Sequence, residues 1–272
     1  MEAHLRVVLL SYTPEPERTV SAAARLCYNK ANIEDIAVRT VRQDQGVFLK
    51  KLTESGHLSP IEHASFSFAI EGISRACSHQ LVRHRLASYS QQSQRYVSPE
   101  NRFSYIIPPS IKEDDELRTY FEKAMEEARK AYMKLNEMLF VKGNNHEAAR
   151  EDARFVLPNA METRIIMTMN ARELLHFFSQ RLCNRAQWEI RALALSMLKL
   201  VVPVAPSLFR KAGPQCIDGK CPEGTHTCGK SHEVRRFFQE EMQKRRQRQF
   251  DRFVNQEVHR LFNQVTHQES KN

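Results

Sequence analysis

The chain alternates short runs of period-two hydrophobicity with longer stretches of helical period. Val7-Val8-Leu9-Leu10 is a compact apolar run, far too short for a signal peptide, and predicts a first strand. From Pro16 to Tyr28, Val20, Ala23, Ala24 and Cys27 recur at helical spacing; from Gln45 to Ser55, Phe48, Leu49 and Leu52 do the same, and Gly56 stops that helix. Ser59-Pro60-Ile61-Glu62 reads as a helix start, with Ser as cap, Pro at the first position and Glu completing a capping box. That turn must be brief, because Phe66, Phe68 and Ile70 alternate with small or polar residues and predict a half-buried strand over Ala64 to Glu71. A helix from Ile73 to Val82 follows. Next comes a polar segment without clear periodicity, Arg83 to Arg95.

Ile111 to Phe140 reads as one long amphipathic helix, with Leu117, Phe121, Ala124, Ala128, Met133, Leu135 and Leu139 near one face. Ala148 to Val156 predicts a helix ended by Leu157-Pro158, and Thr163 to Met169 a strand. Ala171 to Arg181 and Ala186 to Val201 predict two more helices, the second stopped near Pro203. Strands and helices do not alternate as βαβ units, so the fold class expected is α+β. From Glu233 to Gln268 the pattern is helical again, with Phe250, Val254, Val258, Leu261 and Val265 forming a seam. The segments expected are a main domain over 1–212, a Cys- and His-rich loop over 213–232 and a helical C-terminal extension over 233–272.

Composition narrows the class. Hydrophobic residues at 41% and charged residues at 27% exclude a disordered chain. No apolar stretch reaches the roughly 18–20 residues of a membrane helix. The best candidate, Ala192 to Ala205, is broken by Lys199 and Pro203, so a cytoplasmic protein without a membrane partner is expected. Forty-one basic against 32 acidic residues give +9, which favours anionic partners, either nucleic acid or phosphate-bearing small molecules. The tail, with nine basic and six acidic side chains over 233–272, is too balanced in sign for a dedicated nucleic-acid arm.

Chemistry concentrates in Arg83-His84-Arg85-Leu86-Ala87-Ser88-Tyr89-Ser90-Gln91-Gln92-Ser93-Gln94-Arg95-Tyr96. Arginine forks suit phosphate oxygens and carbonyl-rich rings, and hydroxyl and amide groups fix orientation around them. The alternative is a solvated basic loop. Tyr89, Tyr96 and the flanking Leu81-Val82 argue for partial burial instead. Arg83-His84-Arg85, seven residues and then Ser93 resembles the RHR-x7-S signature of the flavin-dependent thymidylate synthases, the ThyX family. Further pieces resemble that family in order: Gly56-His57-x-Ser59-Pro60-x-Glu62-His63, Ala153-Arg154-x-x-Leu157-Pro158, Asn170-Ala171-Arg172, and Arg181 with Ala186-Gln187-Trp188-Glu189-Ile190. The resemblance covers about residues 5–210.

The resemblance implies a ThyX-type α+β domain with a mainly antiparallel sheet flanked by long helices, assembled as a homotetramer with sites between subunits. It implies reductive methylation of dUMP to dTMP, with carbon from 5,10-methylenetetrahydrofolate and hydride from FADH2 regenerated by NADPH. The chain has no Pro-Cys dipeptide for a thiolate nucleophile, which fits the flavin route. By family position Ser59, Arg83, His84, Arg85, Gln91, Asn170, Arg172 and His176 contact FAD, and His57 lies near flavin and folate. Gln80, Arg83, Gln91, Gln92, Ser93, Gln94, Arg95, Arg154 and Arg181 surround dUMP, with Arg95 and Arg154 on phosphate or sugar. Arg181 is placed against the uracil, where a guanidinium favours negative charge on the ring. Ser93 has no local base to activate it, so it is expected to bind substrate through a hydrogen bond. Many members carry Glu at the position of Gln91, and some carry Asn and His at those of His176 and Arg185. Two rivals remain: a basic nucleic-acid-binding protein, and a flavoprotein whose chemistry has moved.

Cys216, Cys221 and Cys228 crowd one loop, followed by His232. Three thiolates and an imidazole make a candidate structural zinc site, although the spacing is no standard knuckle. Reduced thiols or a redox role are the alternatives.

Overall fold

The computed structural model describes residues 1–42, 45–97 and 103–240. Four antiparallel strands form one sheet: β1 (Arg6–Tyr12), β2 (Ser65–Ser74), β3 (Ala87–Gln91) and β4 (Glu162–Asn170), in the order β1-β2-β4-β3. The helices are α1 (Pro16–Leu26), α2 (Ile33–Arg42), α3 (Gln45–Glu54), α4 (Arg75–Leu81), α5 (Pro109–Lys112), α6 (Asp115–Val141), α7 (His146–Ala153), α8 (Ala171–Arg181), α9 (Trp188–Val201) and α10, whose described part is 231–240. The α+β class and the antiparallel sheet are as expected. The rest of the expected tail helix, 241–272, lies outside the described residues. No helix among the described residues is long and apolar enough to cross a membrane.

The alternation of β2 sends Phe66, Phe68 and Ile70 to the inner face, where they are buried. Each such side chain stabilises the fold by about 2 kcal/mol. Ile165, Met167 and Met169 of β4 join them, and α1, α4, α8 and α9 close over this face through Val20, Leu81, Phe177, Phe178 and Leu193. Cys216, Val234 and Phe238 pack into the same core, so the Cys-rich loop and the start of α10 rest on it. The outer face is barer: Val8, Leu10 and Ile166 are exposed there, along a groove of about 450 Å³.

Two glycines set local geometry. Gly56, at φ 75°, ends α3 in a left-handed turn in which the His57 N–H donates to the Leu52 carbonyl, 3.2 Å away. Gly72, at φ 70°, marks the irregularity in β2 where residue 4 crosses. A Cβ there would meet the His4 carbonyl oxygen at 1.9 Å.

Several expectations are corrected. The segment after Arg85 is a strand, β3, at the sheet edge. Residues 33–42, given no element from the sequence, are helical. The strand β2 runs on to Ser74, whose hydroxyl accepts from the Cys77 N–H and starts α4 there, so no helix begins at Ile73. Ser59–His63 is a 3₁₀ turn with no side-chain cap, and Glu62 pairs with Arg172 instead of completing a capping box. The long helix is divided: Asp114, in an extended conformation, accepts from the N–H groups of Glu116 and Leu117 and starts α6 afresh. Within α6 only Met125 and Tyr132 are buried, and Leu117, Met133 and Leu135 of the expected seam are exposed. Arg154–Val156 leaves α7 as a separate 3₁₀ turn, and α9 begins at Trp188 because Gln187 caps it.

Candidate active site

The RHR turn is pinned from below. Glu189 is buried and accepts from the Ser74 N–H and hydroxyl, both at 2.6 Å, which fixes the start of α4. Burial pushes the Glu189 carboxyl up, and the bonds from Ser74 and Gln187 oppose that shift. Where α4 ends, the Tyr89 hydroxyl lies 2.9 Å from the Leu81 carbonyl oxygen and 2.8 Å from that of His84, sharing its single proton between them. Burial pushes this phenol up, so it stays protonated and holds the turn to β3. Arg83 and Arg85 point out on either side, exposed and without an ion pair among the described residues.

His84 turns inward and is only 5% exposed. Its Nδ1 lies 3.4 Å from Glu173 Oε1, and its Nε2 accepts from the Arg181 Nε–H at 3.0 Å. Accepting at Nε2 places the ring proton on Nδ1, towards the carboxylate. Burial first, then Arg181 and His176, lowers the imidazole pKa to about 4, so the ring is neutral. Burial also raises the Glu173 carboxyl, against the pull of His176. Phe177 packs edge-on to the ring at 4.9 Å. The resemblance places His84 on FAD; in this structure both ring nitrogens face protein partners.

The other expected flavin residues gather at the same end of the sheet. Asn170 accepts from the Glu173 N–H and caps α8, so its side-chain oxygen serves the helix. Arg172 is exposed and pairs with Glu62 at 2.5 Å. His176 is exposed, with Nε2 3.1 Å from Gln180 Nε2, and Ser59 is exposed on its turn. His57 Nδ1 lies 3.2 Å from the Tyr28 hydroxyl. Exposed guanidiniums at 83, 85 and 172 suit a pyrophosphate, so the donor set at this end fits FAD.

Most expected dUMP residues lie at the opposite end. Gln91 faces Ile165 across the β3–β4 ladder, whereas Ala87 faces Met169. The Gln91 amide donates to the Ser78 and Thr163 hydroxyls, each at 3.0 Å. Hydroxyls can donate as readily as accept, so a carboxylate at this position would find the same two partners. The Gln92 N–H donates to the Arg164 carbonyl, Ser93 accepts from the Arg95 N–H, and Gln94 reaches Met161 Sδ at 3.3 Å. Arg95 is held by Glu147 at 2.7 Å and Glu151 at 2.9 Å. The Arg154 Nε–H donates to the Glu151 carbonyl at 3.2 Å, and Gln80 sits half-buried on α4.

One chain therefore does not bring the whole set together. Thr163 and Asn170, beside the two groups, stand at opposite ends of β4, about 24 Å apart at the usual rise of a strand. Arg83 and Arg181, expected at dUMP, sit with the flavin group.

Two relevant residues were missed from the sequence. Glu173 reads as an ordinary helical carboxylate, and its burial against His84 has no local signal. Arg75 is half-buried beside Arg154: burial lowers its guanidinium pKa and Arg154 adds to that. Its side chain has no hydrogen bond or ion pair among the described residues, and position alone, directly after the strand, gave no hint.

The zinc expectation is corrected. Among the described residues no group of three or more His, Cys, Asp or Glu side chains is placed to hold a metal ion. Cys216 is buried in the core while His232 is exposed. All six cysteines are free thiols. Burial, with Cys221, Cys183 and Cys228 nearby, pushes the Cys216 thiol up. Arg185 ties this loop to the end of α8 through Glu223.

Residues 8–207 match the family described as thymidylate synthase complementing protein. The chain is 54% identical over 237 residues to a flavin-dependent thymidylate synthase of Geobacter sulfurreducens, covering 87% of this chain and 99% of that protein. It is 51% identical over 242 residues to the enzyme of that name from Clostridium tetani, covering 86% and 97%. In fold it is similar to the UMP/dUMP methylase PolB from Streptomyces cacaoi bound with 5-Br dUMP, with a TM-score of 0.63 and 23% identity, over 76% of this chain and 94% of that one. The family match spans most of the chain and the two relatives are covered over nearly their full length, so the chain that carries this arginine pair around a buried histidine belongs to the flavin-dependent thymidylate synthase family.

Proposed function

We propose that this protein methylates dUMP to dTMP in the cytoplasm as a homotetramer, with carbon from 5,10-methylenetetrahydrofolate and NADPH as reductant. The carbon arrives as a methylene, a hydride completes the methyl group, and uracil C5 gives up its proton. FAD, when bound, supplies that hydride and takes its electrons from NADPH. Arg83, Arg85 and Arg172 hold its anionic part, and Ser59 and His176 offer further contacts. His57 stands at the same end, near the folate. Arg95 and Arg154, with Arg75 beside them, receive the nucleotide phosphate. Gln91 orients but has no carboxylate to act as a base.

The observation that carries this reading is the state of Arg181. Its Nε–H is committed to a neutral imidazole, and no carboxylate pairs with it among the described residues. Its remaining donors are available to an anionic uracil ring, whose charge makes C5 more nucleophilic. Separation of the two residue groups along β4, together with the bare outer face of the sheet, supports sites built from more than one copy.

The test is dTMP formation from dUMP and methylenetetrahydrofolate under low oxygen, with NADPH, and with FAD added or withheld. Product that requires both FAD and NADPH is expected. Flavin that is bound and reduced without dTMP would overturn the reading and point to altered chemistry around Gln91.

A further inference from the structure

We propose that Glu173 is a positioning residue for Arg181, acting through His84 as a buried carboxylate–imidazole–guanidinium chain. This deepens the proposed activity and rests on it. The relevant atoms are close: Glu173 Oε1 lies 3.4 Å from His84 Nδ1, and His84 Nε2 lies 3.0 Å from Arg181 Nε. Both inner members are nearly sealed, with side-chain exposures of 4% for His84 and 7% for Glu173.

An imidazole between two polar partners has two neutral tautomers, and only one serves Arg181. With the proton on Nδ1, Nε2 is an acceptor and holds the guanidinium through its Nε–H. With the proton on Nε2, two donors would face each other and Arg181 would swing free. The Glu173 carboxylate, 3.4 Å from Nδ1, favours the first by its negative charge beside that proton. Phe177 closes one side of the ring and His176 stands 6.1 Å away, and among the described residues Arg181 and Glu173 are the polar groups recorded against its nitrogens. Arg181 is a long side chain at the last position of α8, with rotamer freedom to lose. A single fixed bond at Nε aligns the whole guanidinium plane and leaves both Nη groups for the ligand. Misplacing such a donor by about 1 Å costs on the order of a hundredfold in rate.

Glu173→Leu fills similar volume but leaves the buried His84 Nδ1–H without a partner, which costs stability. The expected result is a folded protein with parental flavin content, a lowered melting temperature and kcat down by roughly 30-fold, and the conservative Gln variant with the double-mutant cycle separates positioning from stability. Glu173→Gln, which can still accept from Nδ1, should recover at least about tenfold of that loss. In an Arg181→Ala background, Glu173→Leu should cost less than about threefold, because residues that act as one unit are not additive. A leucine variant with kcat within threefold of the parent would overturn the chain, as would full additivity with Arg181→Ala. Should the leucine variant not fold, His84→Phe removes the acceptor with a ring of similar size and is read by the same cycle. A parent that makes no dTMP is a different failure, of the activity. An Arg181→Ala variant with parental turnover removes the role of Arg181 and the chain with it.

Discussion

The two ends of β4 present cations in opposite states. At the Asn170 end Arg83 and Arg85 project from a turn pinned by Tyr89 and by a sealed histidine, and they face no carboxylate among the described residues. At the Glu162 end Arg95 is neutralised by Glu147 and Glu151, while Arg75 and Arg154 crowd each other. The first end is preorganised at Arg83 and Arg85, where a ligand meets no competing carboxylate among the described residues, while Arg172 there carries Glu62. The second binds by exchange: an incoming phosphate must displace carboxylates from Arg95 and is rewarded by relieving the Arg75–Arg154 repulsion. Those Arg95 pairs are about 40% exposed, so each is worth at most ~1 kcal/mol and gives way easily.

The sharpest way to break this contrast is to separate the two ends genetically. Arg85→Ala and Arg95→Ala should each be nearly inactive alone. If one end comes from each of two copies, mixed reassembly restores about a quarter of the sites. Recovery indistinguishable from zero, with mixed oligomers verified, would place both ends of a site on one chain. Next in size, Arg154→Ala should raise the KM for dUMP by roughly tenfold, as for a lost charge-assisted bond, with kcat changed far less.

A pH dependence follows from the sealed histidine. Its pKa is lowered from 6.5 to about 4, so between those values the unfolded chain binds a proton that the folded chain refuses. Stability is therefore complete above pH 6.5 and drains as pH falls towards 4. Glu173, raised by burial, acts in the opposite sense. The measurable quantity is the fall in melting temperature between pH 7 and 4.5, which should be shallower in His84→Phe than in the parent. The smallest effect expected is from Glu151→Gln, which frees Arg95 of one competitor and should tighten dUMP binding two- to threefold, seen by calorimetry.

Much of this was legible in the sequence, for identifiable reasons. Phe66, Phe68 and Ile70 announced β2 because one face of the sheet is buried and the other is not. Pro16 and Gly56 marked real helix ends. The strand β3 was not legible: its inward residues are Tyr89 and Gln91, whose satisfaction is by hydrogen bonds to Leu81, Ser78 and Thr163, and a hydrophobicity pattern cannot register those. On α6 the period was right and the burial wrong, since Leu117, Met133 and Leu135 of the seam are exposed among the described residues. The signature from Arg83 to Ser93 singled out the RHR turn, but the inward rotation of His84 depends on Glu173, ninety positions away in sequence and invisible as a partner.

Gly72 carries a consequence for how this corner of the molecule can vary. The contact that forbids a side chain there is made by the carbonyl of residue 4, while the His4 imidazole is 75% exposed. Drift at position 4 is thus nearly free in side-chain identity and closed in backbone path. Drift at position 72 is closed twice, by that carbonyl and by its own left-handed φ. A compensating change must move the N-terminal backbone first and relax the strand second; neither step alone opens the route.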